Sequence, residues 1–121
     1  MPRNGVSEVV CHEAEEINEN NGEGYGYRVE VSETAGSYRA VITSYRCEYY
    51  EQVDWWELAQ GRGTTGAGAL RDALARMQRK GNATTDNVAF LKAVFDALDE
   101  LGDTDGSVPW EGGRRARAAH P

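Results

Sequence analysis

A chain of 121 residues and 13.3 kDa has room for one hydrophobic core and little for a second, which excludes a multidomain assembly. Apolar residues at 40% and charged residues at 27% are ordinary for a globular protein and exclude a low-complexity chain, while 14 glycines and a mean hydropathy of -0.66 point to generous loops. The net charge of -7 is uneven, with 12 acids against 4 bases in residues 1–60 and 8 against 9 beyond; such a surface repels phosphate backbones, so direct nucleic-acid binding is disfavoured and a basic partner favoured.

The N-terminus, MPRNGVSEVV, lacks the apolar run of a signal peptide, and no stretch reaches the ~20 apolar residues that cross a bilayer. A cytoplasmic, non-membrane protein is expected. Val6, Val9, Val10, Ala14 and Ile17 recur at helical spacing, with Ser7 placed to cap, Glu8 in the first turn and Asn21-Gly22 as a stop. The spacing predicts a helix over Ser7 to Asn20, whose outer face carries Glu13, Glu15, Glu16 and Glu19.

Tyr25, Tyr27, Val29 and Val31 then alternate with Gly26, Arg28, Glu30 and Ser32, the period of a strand. A turn over Glu33 to Ser37 and a second alternation from Tyr38 to Tyr45 complete a β-hairpin. Residues 48–60 read as a third strand through Tyr49, Glu51, Val53 and Trp55, with a short helix capped by Asp54 as the alternative. Gly61 to Gly68 reads as a flexible loop leading into a helix with Ala69, Leu70, Ala73, Leu74 and Met77 inward, capped by Thr64 or Thr65 and stopped by Gly81. A last helix, capped by Thr84 or Thr85, carries Val88, Leu91, Val94, Phe95, Leu98 and Leu101 as one apolar stripe and ends at Gly102. Residues 103–121, with Trp110, Arg114, Arg115 and Arg117, read as a flexible C-terminal tail.

The expected architecture is therefore a single compact α+β domain over 1–102. It has a small antiparallel sheet, a hairpin plus a third strand, with about three helices on one face in the order αβββαα.

Chemistry-bearing motifs are sparse. Cys11 and Cys47, 36 residues apart, belong to no CxxC or Cys/His pair of zinc-site spacing and read as free thiols. His12 and His120 would have to converge from a glutamate-rich helix and the chain end to make a triad or metal site. Glu13, Glu15 and Glu16 point in different directions on a helix and make no calcium loop. The expectation is no enzyme, no cofactor and no metal. Gly61-x-Gly63-x-x-Gly66 matches the spacing of a pyrophosphate-binding turn, but no βαβ unit surrounds it and no P-loop lysine follows. Asp54 and Glu57 beside Trp55 and Trp56 would need a cleft and raised pKa values to work as an acid/base pair.

The densest signal is Tyr45, Tyr49, Tyr50, Trp55 and Trp56 among Glu48, Glu51, Asp54 and Glu57, because aromatics bury much area at low entropic cost and dominate binding hot spots. The expected partner-binding residues are Glu13, Glu15, Glu16, Glu19, Tyr49, Tyr50, Glu51, Asp54, Trp55, Trp56 and Glu57, and the expected partner is a basic protein or nucleoprotein complex. A homodimer through Leu91, Phe95 and Leu98 is a further expectation.

The hairpin, third strand and Gly-x-Thr loop opening an Ala-Leu helix over Tyr25 to Met77 resemble the order of HicB-type antitoxin domains. Preceded by a helix, the same segment resembles the αβββα order of double-stranded RNA-binding domains, except that Thr65, Gly66, Ala67 and Gly68 stand where that family carries phosphate-gripping lysines. In composition the chain resembles small acidic phage-encoded inhibitors, anti-CRISPR proteins among them. That likeness implies an inhibitor or regulator of a nucleic-acid-handling complex, with carboxylates placed where phosphates would bind. The resemblances leave two alternatives: a HicB-like regulatory domain, and a small-molecule or nucleotide binder using residues 61–68.

Overall fold

The computed structural model describes residues 6–80 and 87–103. Four strands come first, β1 (Val6–Ile17), β2 (Gly24–Thr34), β3 (Ser37–Glu48) and β4 (Glu51–Gly63), followed by α1 (Gly66–Arg79) and α2 (Val88–Glu100). The strands form one antiparallel meander in the order β1-β2-β3-β4. The α+β class and the hairpin are as expected, residues 51–63 are a strand, and among the described residues the order is ββββαα, with two helices where about three were expected.

The expected first helix is a strand. β1 pairs with β2 from Val6↔Thr34 to Ile17↔Gly24, with a bulge between Glu8 and Val10. The bulge inserts one extra residue and shifts the side-chain parity. Val10 and Ala14 lie on the helix side of the sheet, Val6 and Ile17 on the other and Val9 in the bulge, so the 6, 9, 10, 14, 17 spacing that imitates a helix mixes both faces of a strand. The supposed stripe is not buried as one: Val10 is in the core, whereas Val6 and Val9 are exposed. Pairing along the whole strand outweighs the weak helical preference of its glutamates.

Strand alternation puts Val10, Tyr27, Val29, Val31, Ala40, Ile42 and Ala59 on one face, under both helices. α1 covers β4 and β3 with Ala69, Leu70, Ala73, Leu74 and Met77, and α2 covers β1 and β2 with Phe90, Val94, Phe95 and Leu98. Thr65 caps α1, its hydroxyl accepting from the Gly68 N–H at 2.9 Å, and Asn87 caps α2 by accepting from the Phe90 N–H at 3.1 Å. The predicted caps Thr84 and Thr85 and the stop Gly81 lie outside the described residues, as do Trp110, Arg114, Arg115, Arg117 and His120. Asp103, expected to begin the tail, is held by Arg71 through bonds of 2.9 and 3.1 Å.

Two further expectations change. Leu91, Phe95 and Leu98 are buried against the sheet, at 6%, 5% and 0% exposure, so they build the monomer's core and present no dimer surface. Gly61 and Gly63 belong to β4 instead of a loop. A Cβ at Gly61 would lie 2.2 Å from the Ala73 nitrogen and one at Gly63 would lie 2.7 Å from the Ala69 nitrogen. These glycines let the α1 backbone sit directly on the strand, and that contact fills the space a phosphate would need.

Candidate partner-binding site

The sheet face turned away from the helices is built in rows by the strand register. Glu13, Arg28, Thr43 and Glu57 form one row, and Glu15, Gly26, Tyr45 and Trp55 the next. Arg28 donates to Glu13 at 2.6 Å and lies over the Trp55 ring, 4.7 Å from its centroid. Tyr45 lies flat across Gly26, where an added Cβ would come within 2.3 Å of the ring, and its hydroxyl donates to Glu15 at 2.6 Å. Trp55 packs on Tyr45 with centroids 4.4 Å apart. Gln52 reaches Glu13 and Glu15 at 3.4 Å each. Glu13 and Glu15 are therefore fixed in place by partners from the inner strands.

None of this activates a nucleophile. Burial and the Glu15 carboxylate push the Tyr45 phenol up, burial and then Glu15 push the Cys47 thiol up, and burial and then Glu30 push the Cys11 thiol up. Cys11 and Cys47 are both unbonded, and their partners on β2, Glu30 and Gly24, are six residues or about 20 Å apart, beyond disulfide reach. Glu8, Cys11 and Glu30 place one ligand atom each within 4.8 Å of one another at the exposed end of the same face.

The second group of expected residues collects at one end of the sheet. Strands β3 and β4 are joined by Tyr49 and Tyr50 alone, with φ of 51° and 68°, the two-residue mirror-image turn that asparagine and glycine ordinarily supply. Asp54, with φ 51°, is the bulged residue between Tyr45/Arg46 and their partners Trp55/Val53. Three of the four non-glycine residues with positive φ among the described residues thus lie within six positions. Each such residue costs about 1–2 kcal/mol of backbone strain, and strain of this kind concentrates where side chains have work to do.

This turn is joined to the β1–β2 turn. The Tyr50 N–H donates to the Gly22 carbonyl at 3.0 Å and the Tyr50 hydroxyl donates to the Glu19 carbonyl. Glu19 and Glu23 from one turn therefore stand beside Glu48, Glu51 and Asp54 from the other, and Arg46 is shared by Glu48 and Asp54. A shallow cleft of about 380 Å³ lined by Asn18, Asn21, Glu23, Gly24, Tyr25, Arg46 and Cys47 opens in the same region. Tyr49, Tyr50 and Tyr25 are 78%, 62% and 52% exposed, and Trp55 and Trp56 remain largely open on opposite faces of β4.

The expected site residues thus divide. Glu13, Glu15 and Trp55 meet on the open face with Glu57 beside them, Glu19, Tyr49, Tyr50, Glu51 and Asp54 gather at the tip, and Glu16 and Trp56 lie on the helix side of β1 and β4. Tyr25, Glu23 and Glu48 were not among the expected residues; what brings them in is the bonding of the β3–β4 turn to the β1–β2 turn, which only the tertiary structure reveals. Comparison with protein-family models finds no match, and no curated protein or solved structure shows significant similarity to the chain. The double-stranded RNA-binding order is lost with its first helix, and the HicB likeness rests on element order alone. No described helix is long and apolar enough to cross a membrane.

Proposed function

We propose that this chain is a non-enzymatic binding module that docks a basic protein surface on the acidic and aromatic tip built from its two hairpin turns. The observation that carries the reading is the Tyr49-Tyr50 turn: two large, exposed aromatics held in a conformation that favours asparagine and glycine, among the carboxylates of Glu19, Glu23, Glu48, Glu51 and Asp54. A turn chosen for stability alone would avoid these residues, so their side chains account for the strain. Tyrosine rings flanked by carboxylates suit lysine and arginine, which gain cation–π contact and charge pairing together. Surfaces rich in those residues are typical of proteins that handle nucleic acid. An inhibitor or regulator of such a complex is the role that fits best. The protonated state favoured for both thiols and the Tyr45 phenol supports the non-enzymatic reading, since nucleophiles are activated by lowered pKa values.

The test is capture of partner from cell lysate at 0.1 M and 0.5 M salt, with and without nuclease, by the natural chain and by Tyr49→Asn. A basic protein captured at low salt, independent of nuclease and weakened by the substitution, is expected. Capture that survives high salt or ignores Tyr49→Asn would refute the tip as the docking site.

A further inference from the structure

The two edges of the sheet are not equivalent. β4 is interrupted by extra residues at Asp54 and Leu58, is packed against α1, and has its Arg62 N–H taken by the Asp72 carboxylate at 3.0 Å. These devices blunt an edge against strand pairing. β1 has a single bulge at Val9, and from Val10 to Ile17 its register runs unbroken over eight residues with no strand on its outer side among the described residues. Side-chain contacts hold it from both faces: His12 meets Glu100 of α2 at 2.6 Å below, while Arg28 and Tyr45 hold Glu13 and Glu15 above. The result is a firm, regular edge about 27 Å long whose outward backbone groups have no partner among the described residues.

We infer that β1 takes an added strand from its partner, an extended segment with arginine or lysine at alternate positions. The charge pattern selects the occupant. Glu13 and Glu15 share a face and are already oriented from the inside by Arg28, Tyr45 and Gln52, one guanidinium against two carboxylates. Alternate basic side chains on an added strand lie directly beside them, and opposite charges across a strand pair are favourable. A second copy of the same strand is disfavoured in two registers, because antiparallel self-pairing about His12 sets Glu8 against Glu16 and self-pairing about Ala14 sets Glu13 against Glu15. The inference rests on the proposed preference for a basic partner and adds the element that grips the partner's backbone.

The experiment uses the full chain and a blocked, fluorescent ten-residue peptide alternating arginine and threonine, followed by anisotropy at 0.1 M salt. Two control peptides carry N-methyl groups on all arginine amides or on all threonine amides. In an added strand only one of these sets faces β1, so one control should bind at least ten-fold more weakly and the other should bind like the parent. Hydrogen exchange should slow in 10–17 and stay unchanged in 51–63. Glu13→Gln with Glu15→Gln should weaken the parent several-fold. Two methylated peptides that behave alike, protection centred on the 48–51 turn, or a chain that dimerises through β1 would overturn the inference. Tyr49→Asn separates the two proposals: it should leave peptide binding intact even where partner capture is lost, and peptide binding lost with it would place the peptide on the tip and end the edge assignment.

Discussion

Tyr49 and Gly26 show how single positions trade stability against surface. Tyr49 is the more exposed of the two turn tyrosines and sits where asparagine is favoured, so Tyr49→Asn should raise stability by about 1 kcal/mol, roughly 4 °C in Tm for a domain of this size, while weakening partner binding. Thermal unfolding and partner capture on the same two proteins check both halves. Tyr50 is less suited to such a gain, since its amide and hydroxyl tie the two turns together. At Gly26 the reverse holds. A methyl group there meets the Tyr45 ring, so Gly26→Ala should cost about 1–3 kcal/mol and change Trp55 fluorescence as the ring stack shifts. An unchanged urea midpoint and spectrum would show that Tyr45 can lie elsewhere.

At the scale of elements, the helices are held by short polar contacts that chemical substitution can remove one at a time. Thr65→Ala deletes the acceptor for the Gly68 N–H and should cost about 1 kcal/mol in urea unfolding. Asp72 ties α1 to the β4 edge, and the Arg62 N–H together with the Arg76 side chain holds its carboxyl below the ordinary value of 3.8. The folded pKa is depressed, so this contribution is present above about pH 4 and is lost as pH falls further. Asp72→Asn should accordingly flatten the acid limb of the stability profile, measured as Tm between pH 2 and pH 6, without altering the alkaline limb. The same contact explains why β4 does not present an open edge while β1 does.

For the whole molecule, the consequence of packing phenols and thiols on both sheet faces is sensitivity to alkali. Burial is the leading cause that raises Cys11, Cys47, Tyr27 and Tyr45 above their ordinary values of 9.0 and 10.0. Groups with raised folded pKa values contribute stability that is complete below the unfolded pKa and disappears as pH rises past it. Tm should therefore fall above about pH 9, and Tyr45→Phe should make that fall shallower; a Tm constant to pH 11 would contradict the buried phenol. The α+β class, the hairpin over Tyr25 to Tyr45, both C-terminal helices and the aromatic and acidic character of residues 45–57 were legible in the sequence, because periodicity and composition are local properties. Tertiary structure alone decided the rest. The apolar residues of β1 divide between both sheet faces and the bulge at Val9, a helical spacing that only pairing with β2 resolves, and Gly61 and Gly63 looked like a ligand loop until α1 was seen lying on them. Glu13 and Glu15 were separated from Glu16 and Glu19 by strand alternation, and the turns at Glu19 and Tyr50 were joined across the sheet. Which residues share a face or meet at an edge depends on register and strand order, and those are set by contacts between segments far apart in the chain.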